Sequence, residues 1–157
     1  RIKDVGKPKV EALADILVEA TGILPVAHNE AVHGGTQLKG VVFLLVDSMS
    51  ARKEIWQGAL KFKLPVDLLI ETRMAIDNGR VYAISPSRPG EIKLWEATLY
   101  SDEDAEESPC TLRSVGPTVS YIASLAVWKL IKWFRNEPFE KELIVSARPM
   151  TIISASL

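Results

Sequence analysis

Apolar residues recur along this chain in two rhythms, and the switches between them mark its elements. Over residues 8–21, Val10, Leu13, Ala14, Leu17 and Val18 follow the i, i+3, i+4, i+7, i+8 spacing of one helix face. Pro8 suits the first helical turn and Gly22 the C-terminal cap. A short strand around 24–27 is expected next, then a loop over 31–39 centred on Gly34-Gly35. The run GVVFLLVD follows. Residues 41–46 are continuously apolar and rich in β-branched side chains, the pattern of a strand covered on both faces, and the run ends in Asp47. Residues 51–60 place Ala51, Ile55, Trp56, Ala59 and Leu60 on one helical side, and 66–71 (VDLLIE) read as a second buried strand. Helix and strand alternate through this half, which predicts βαβ units and a parallel sheet.

The second half changes rhythm. The segments ETRMAI and RVYAIS flank Asp77-Asn78-Gly79, a hairpin signal that predicts antiparallel strands added to the parallel part. A short helix over 90–99 carries Leu94 and Trp95, and 101–107 (SDEDAEE) read as an exposed acidic loop. Pro117 opens a long helix reaching about residue 135, with Tyr121, Ile122, Leu125, Trp128, Leu130 and Ile131 marking its apolar surface. Residues 143–147 and 151–154 read as terminal strands separated by Pro149. The expected architecture is α/β: a mixed sheet, parallel in its first half and antiparallel in its second, with helices on both faces.

Composition narrows the class. At 157 residues the chain fits one domain, 1–157, and 47% hydrophobic content supports a sizeable core. Net charge is −1 and the basic residues are scattered, so no nucleic-acid partner is expected. Apolar runs stop at about six residues, far short of a membrane span of roughly 20. A single cysteine rules out an internal disulfide and a multi-cysteine zinc site, and a reducing cytoplasm is the plain expectation. The chain starts at Arg1 without a methionine, so targeting signals cannot be judged from it.

Several residues carry candidate chemistry. Asp47 closes a buried-type strand, where ligands bind in open α/β sheets; it is either a magnesium- or phosphate-site aspartate or the N-cap of the following helix. Lys9 stands in a first helical turn, where the dipole disfavours a cation unless a phosphate is bound, or is a plain solvated lysine. Cys110 sits in a loop with Arg113 nearby and a helix N-terminus just beyond, both of which favour a thiolate. The acidic run before it works the other way, and a half-buried small residue is the other reading. His28 and His33 lack further ligands at metal-site spacing and read as surface residues. The four tryptophans read as core or interface residues, and Tyr121, Trp128 and the segment KLIKWF could line a dimer face.

Together these pieces resemble the ThiF/MoeB/HesA family, bacterial relatives of the ubiquitin-activating enzymes. DVGKPK is similar to the family's D-x-G-x-x-K helix entry, matching Asp4, Gly6 and Lys9. FLLVDSMSARKEIW is similar to its strand-end D-N-x-x-x-R motif, with Asp47 and Arg52 matching and Ser48 in place of the asparagine. ETRM followed by GRVYAISP resembles the next strand pair, and PCTLRSVGP with the helix behind it resembles the cysteine segment, matching Cys110. The resemblance implies a Rossmann-like fold and the C-terminal two-thirds of a ThiF-like domain. The family's G-x-G-x-x-G nucleotide turn does not occur in 1–157, and neither do its paired C-x-x-C zinc motifs.

The resemblance implies ATP and Mg as cofactors, bound by Lys9, Asp47 and Asp4, with Mg on Asp47. It implies adenylation of the C-terminal carboxylate of a ubiquitin-like or sulfur-carrier protein, Arg52 supporting the site and Cys110 available for a later thioester step. It further implies a cytoplasmic homodimer with no membrane or nucleic-acid partner. The substitution by Ser48 and the acidic loop leave a second expectation, a catalytically degenerate scaffold that binds a partner protein. A nicotinamide-dependent oxidoreductase would need a glycine-rich turn followed by an acidic strand end, and the chain has neither.

Overall fold

A nine-residue strand, β2, forms the spine of the sheet. It spans Val66–Met74, and its apolar run is buried on both sides. The structure, a computed structural model, describes residues 2–104 and 116–155. These fall into two compact units, Arg1–Val32 and His33–Leu157.

The first unit contains a 3-10 turn, Ile2–Asp4, and helix α1, Lys9–Thr21. Pro8 stands at the N-cap, and Gly22 ends the helix with a left-handed φ of 74°, its amide donating back to the Val18 carbonyl at 2.9 Å. That conformation costs glycine nothing, and a side chain there would be strained. Lys7 pairs with Asp15 and Lys3 with Glu19, each at 2.8 Å. The apolar stripe is where its spacing puts it, yet no residue of α1 is buried. The strand expected at 24–27 does not form: Leu24 and Val26 are exposed, and Pro25 has no amide to give to a ladder. A strand without a partner has no stability of its own.

The second unit is an open five-stranded sheet in the order β1-β2-β3-β4-β5, with β1 spanning Gly40–Leu44, β3 Asn78–Ile84, β4 Glu142–Ala147 and β5 Met150–Ala155. β1 runs parallel to β2, and every later pairing is antiparallel. This is the mixed α/β sheet that the alternation and the Asp-Asn-Gly turn predict. β1 and β2 are joined by helix α2, Met49–Ile55, which continues as a π-helical turn over Trp56–Leu60. Helix α3, Pro89–Glu96, follows β3, and helix α4, Gly116–Phe134, precedes β4.

The two faces have separate cores. On one, Leu69 of β2 and Tyr82 and Ile84 of β3 pack against Ile55, Trp56 and Leu60 of the crossover and Ile92 and Trp95 of α3. On the other, Leu68, Ile70, Val81 and Ala83 meet Ile122 and Ala126 of α4, with Leu143 and Val145 of β4. Strand alternation sends neighbouring residues to opposite layers, so β2 must be apolar throughout. Each fully buried aliphatic side chain contributes about 1.5–3 kcal/mol. Among the described residues no helix is long and apolar enough to cross a membrane.

One expectation is corrected by the topology. The continuous apolar run of β1 predicts a strand covered on both faces, but β1 is an edge of this sheet and Phe43 is 38% exposed. An apolar run reports what a strand can bury; which neighbours cover it is decided by contacts far away in sequence.

Candidate functional site

The carboxyl ends of the parallel strands β1 and β2 bring together several charged groups, among them Asp47, Arg52, Glu71, Arg73 and Asp102. β1 ends at Leu44 and the chain runs through Val46, Asp47 and Ser48 into α2. Ser48 is the N-cap, its Oγ accepting from the Ala51 amide at 3.2 Å. Asp102, from a 3-10 turn over Asp102–Asp104, lies at the same helix end. Its carboxylate accepts from the Met49 amide at 2.5 Å and from the Ser50 amide at 3.1 Å. Hydrogen bonds from Ser50 and Met49 hold the Asp102 carboxyl below its usual range.

With Ser48 and Asp102 at those amides, the capping role open to Asp47 is already filled. Asp47 is exposed and makes no hydrogen bond or ion pair among the described residues. A bare carboxylate at the carboxyl end of a parallel strand is available to a cation or a ligand.

Arg52 goes the other way. It is 3% exposed, and its guanidinium is used inside the fold: Nη1 donates to Glu71 Oε1 at 2.8 Å and Nη2 to the Val46 carbonyl at 2.7 Å. Nε is buried without a partner among the described residues. Burial pulls the Arg52 pKa down, and Glu71 pushes it back up. Glu71 itself is fully buried, opposite Leu44 in the β1–β2 register. Arg73 Nε donates to both its oxygens, at 3.1 and 3.2 Å, and Trp95 Nε1 donates to Oε2 at 3.2 Å. Arg73 is anchored in turn on the Thr98 carbonyl and hydroxyl, 2.6 and 3.0 Å away, and lies 4.6 Å from the Tyr82 ring centre. Burial raises the pKa of Tyr82.

The expected site residues are therefore divided. Asp47 lies in the turn between β1 and α2 and faces solvent, whereas Arg52 lies one turn into α2 and faces the core. Asp4 and Lys9 belong to the first unit, Lys9 exposed at the start of α1 and Asp4 largely buried, 3.9 Å from the Lys7 ammonium. Cys110 lies outside the described residues. His28 and His33 are exposed, His28 3.6 Å from Glu30. No group of three or more metal-ligating side chains occurs among the described residues.

Sequence reasoning missed the Glu71–Arg73–Trp95 cluster. A signal was present: two opposite charges at alternate positions of an apolar strand share one face with Leu69, so both must be buried and paired. A cavity of about 640 Å³ lies elsewhere, lined by Gly34, Thr36, Lys39, Gly58, Lys63 and Pro65. These residues adjoin the amino ends of β1 and β2, the opposite end from Asp47, and its lysines are exposed. The carboxyl end is the stronger candidate because it holds a carboxylate with no structural duty. No protein-family model matches the chain, and no curated protein matches it.

Proposed function

We propose that this chain is part of an activating protein of the ThiF type, one that joins AMP to the C-terminal carboxylate of a ubiquitin-like or sulfur-carrier protein. The observation that carries the reading is Asp47. It is a solvent-facing carboxylate at the carboxyl end of β1, left unused by the fold because Ser48 and Asp102 cap α2 in its place. The four motifs, in order along the chain, add the chemistry.

The donor set fits a magnesium–nucleotide only through Asp47. Magnesium binds through one or two carboxylates, with water and phosphate oxygens completing its shell, so a single aspartate is sufficient protein ligation. Arg52 is too deeply buried to reach a nucleotide, and the first amides of α2 are occupied, so neither is assigned a phosphate. Bound ATP would supply an electrophilic α-phosphorus and a pyrophosphate leaving group. Asp47 would hold the cation, whose charge would offset the negative charge of the phosphate oxygens. The attacking oxygen is the partner's carboxylate, so no proton has to move. The P–O bond to pyrophosphate would break as the bond to the carboxylate forms.

ATP–pyrophosphate exchange by the intact protein, with its carrier partner, tests the reading. Asp47→Ala should lower exchange about 10²-fold or more. Exchange that survives the substitution overturns it. A second reading is favoured by the internal commitment of Arg52 and the α2 amides: a scaffold that binds the partner without activating it. Partner binding with no ATP-dependent exchange in the wild type would select that one.

A further inference from the structure

The buried ion cluster is out of balance: two guanidiniums, Arg52 and Arg73, share the single carboxylate of Glu71. One donor, Arg52 Nε, is buried without a partner among the described residues. An unpaired buried donor costs stability, and buried ion clusters have been replaced by apolar side chains without loss of folding. Stability alone therefore does not account for this arrangement. Its geometry does something an apolar core could not. Glu71 is fixed on the central strand by Arg73 and Trp95. Glu71 holds Arg52 Nη1, and Arg52 Nη2 holds the carbonyl of Val46, the residue immediately before Asp47.

We propose that Glu71 and Arg52 form a relay that positions Asp47, fixing the β1–α2 turn from β2 so that the carboxylate is presented in one orientation to a divalent cation. The inference rests on the activating-protein reading for what Asp47 binds. The relay itself is a statement about this chain's own turn. Arg52 is a positioning residue, since each of its contacts is to protein. Its hold is bidirectional: one side of the guanidinium faces the sheet and the other the turn, and lysine, with one ammonium, could keep only one of them.

Two substitutions of equal charge separate this role from a general one in stability. Arg52→Met leaves Glu71 and Arg73 as a balanced pair, removes the orphan donor and cuts the link to Val46. Arg73→Met removes the same charge from the same cluster and leaves the Arg52–Val46 link in place. Both are made in the intact protein and read in two ways: amide hydrogen exchange over residues 44–50 without nucleotide, and the Mg²⁺ concentration giving half-maximal pyrophosphate exchange at saturating ATP. Arg52→Met should speed amide exchange in the turn and raise the Mg²⁺ requirement, each by about 10–100-fold, the usual effect of removing a support behind a metal ligand. Arg73→Met leaves Glu71 held by Trp95 and by Arg52, and should change both readouts by less than Arg52→Met does. Should Arg52→Met fail to fold, Arg52→Lys is read instead, with the same direction and a smaller change. Equal effects from the two methionine variants, or an unchanged turn in Arg52→Met, overturn the relay. If the wild type has no pyrophosphate exchange, the activating reading falls, and amide exchange alone decides the relay.

Discussion

Asp47, just before α2, and Arg52, within it, go to opposite environments, and their substitutions should behave accordingly. Asp47→Ala removes an exposed group that makes no hydrogen bond or ion pair among the described residues, so its stability in chemical denaturation should match wild type to within about 0.5 kcal/mol, while pyrophosphate exchange collapses. Glu71 is the reverse case. Replacing it with glutamine strands two buried guanidiniums without a counter-charge, which should cost about 3–5 kcal/mol in urea denaturation. An effect under about 1 kcal/mol there would mean that the cluster is solvated or rearranges. FLLVD made Asp47 legible, because an apolar run ending in a carboxylate is a local pattern. The depth of Arg52 was not legible, because its partner lies 19 residues away, on β2.

At the scale of the element, α2 illustrates how the first turn of a short helix is held by a distant segment. Asp102 reaches its first amides across 53 residues of sequence. Its folded pKa is depressed, so its contribution is present above the unfolded value of about 3.9 and is lost as pH falls through the folded value. The difference in thermal midpoint between wild type and Asp102→Ala should therefore be full at neutral pH and close in strong acid. A difference that persists in acid would show that the loss comes from packing. Beyond α2, the π-helical turn brings Gly58 against the loop: a Cβ on Gly58 would collide with the backbone of Gly34. Gly58→Ala must push the two backbones apart and should cost about 1–3 kcal/mol, measured by denaturation. The glycine pair at 34–35 is visible in sequence as a loop, but its contact with Gly58 is not, since periodicity says nothing about which backbones meet.

For the whole molecule, burial sets a gradient of stability. α1 has no buried residue, whereas β2 and β3 are enclosed between two helical layers. A 13-residue helix held mainly by its own hydrogen bonds is marginal in water. Its amides should exchange far faster than those of β2 and β3, and equal protection in a native-state hydrogen-exchange experiment would contradict this. The sequence by itself determined the helices, the hairpin, the parallel-then-antiparallel order and the strand-end aspartate. Each rests on caps, turn residues or apolar spacing within a short window, where chain geometry leaves few alternatives. Only the tertiary structure decided that β1 is an edge, that residues 24–27 find no partner, that Asp102 caps α2 and that Arg52 and Arg73 share Glu71. Those outcomes depend on which distant segments come together and on where buried charge finds its counter-charge, and no local pattern carries that information.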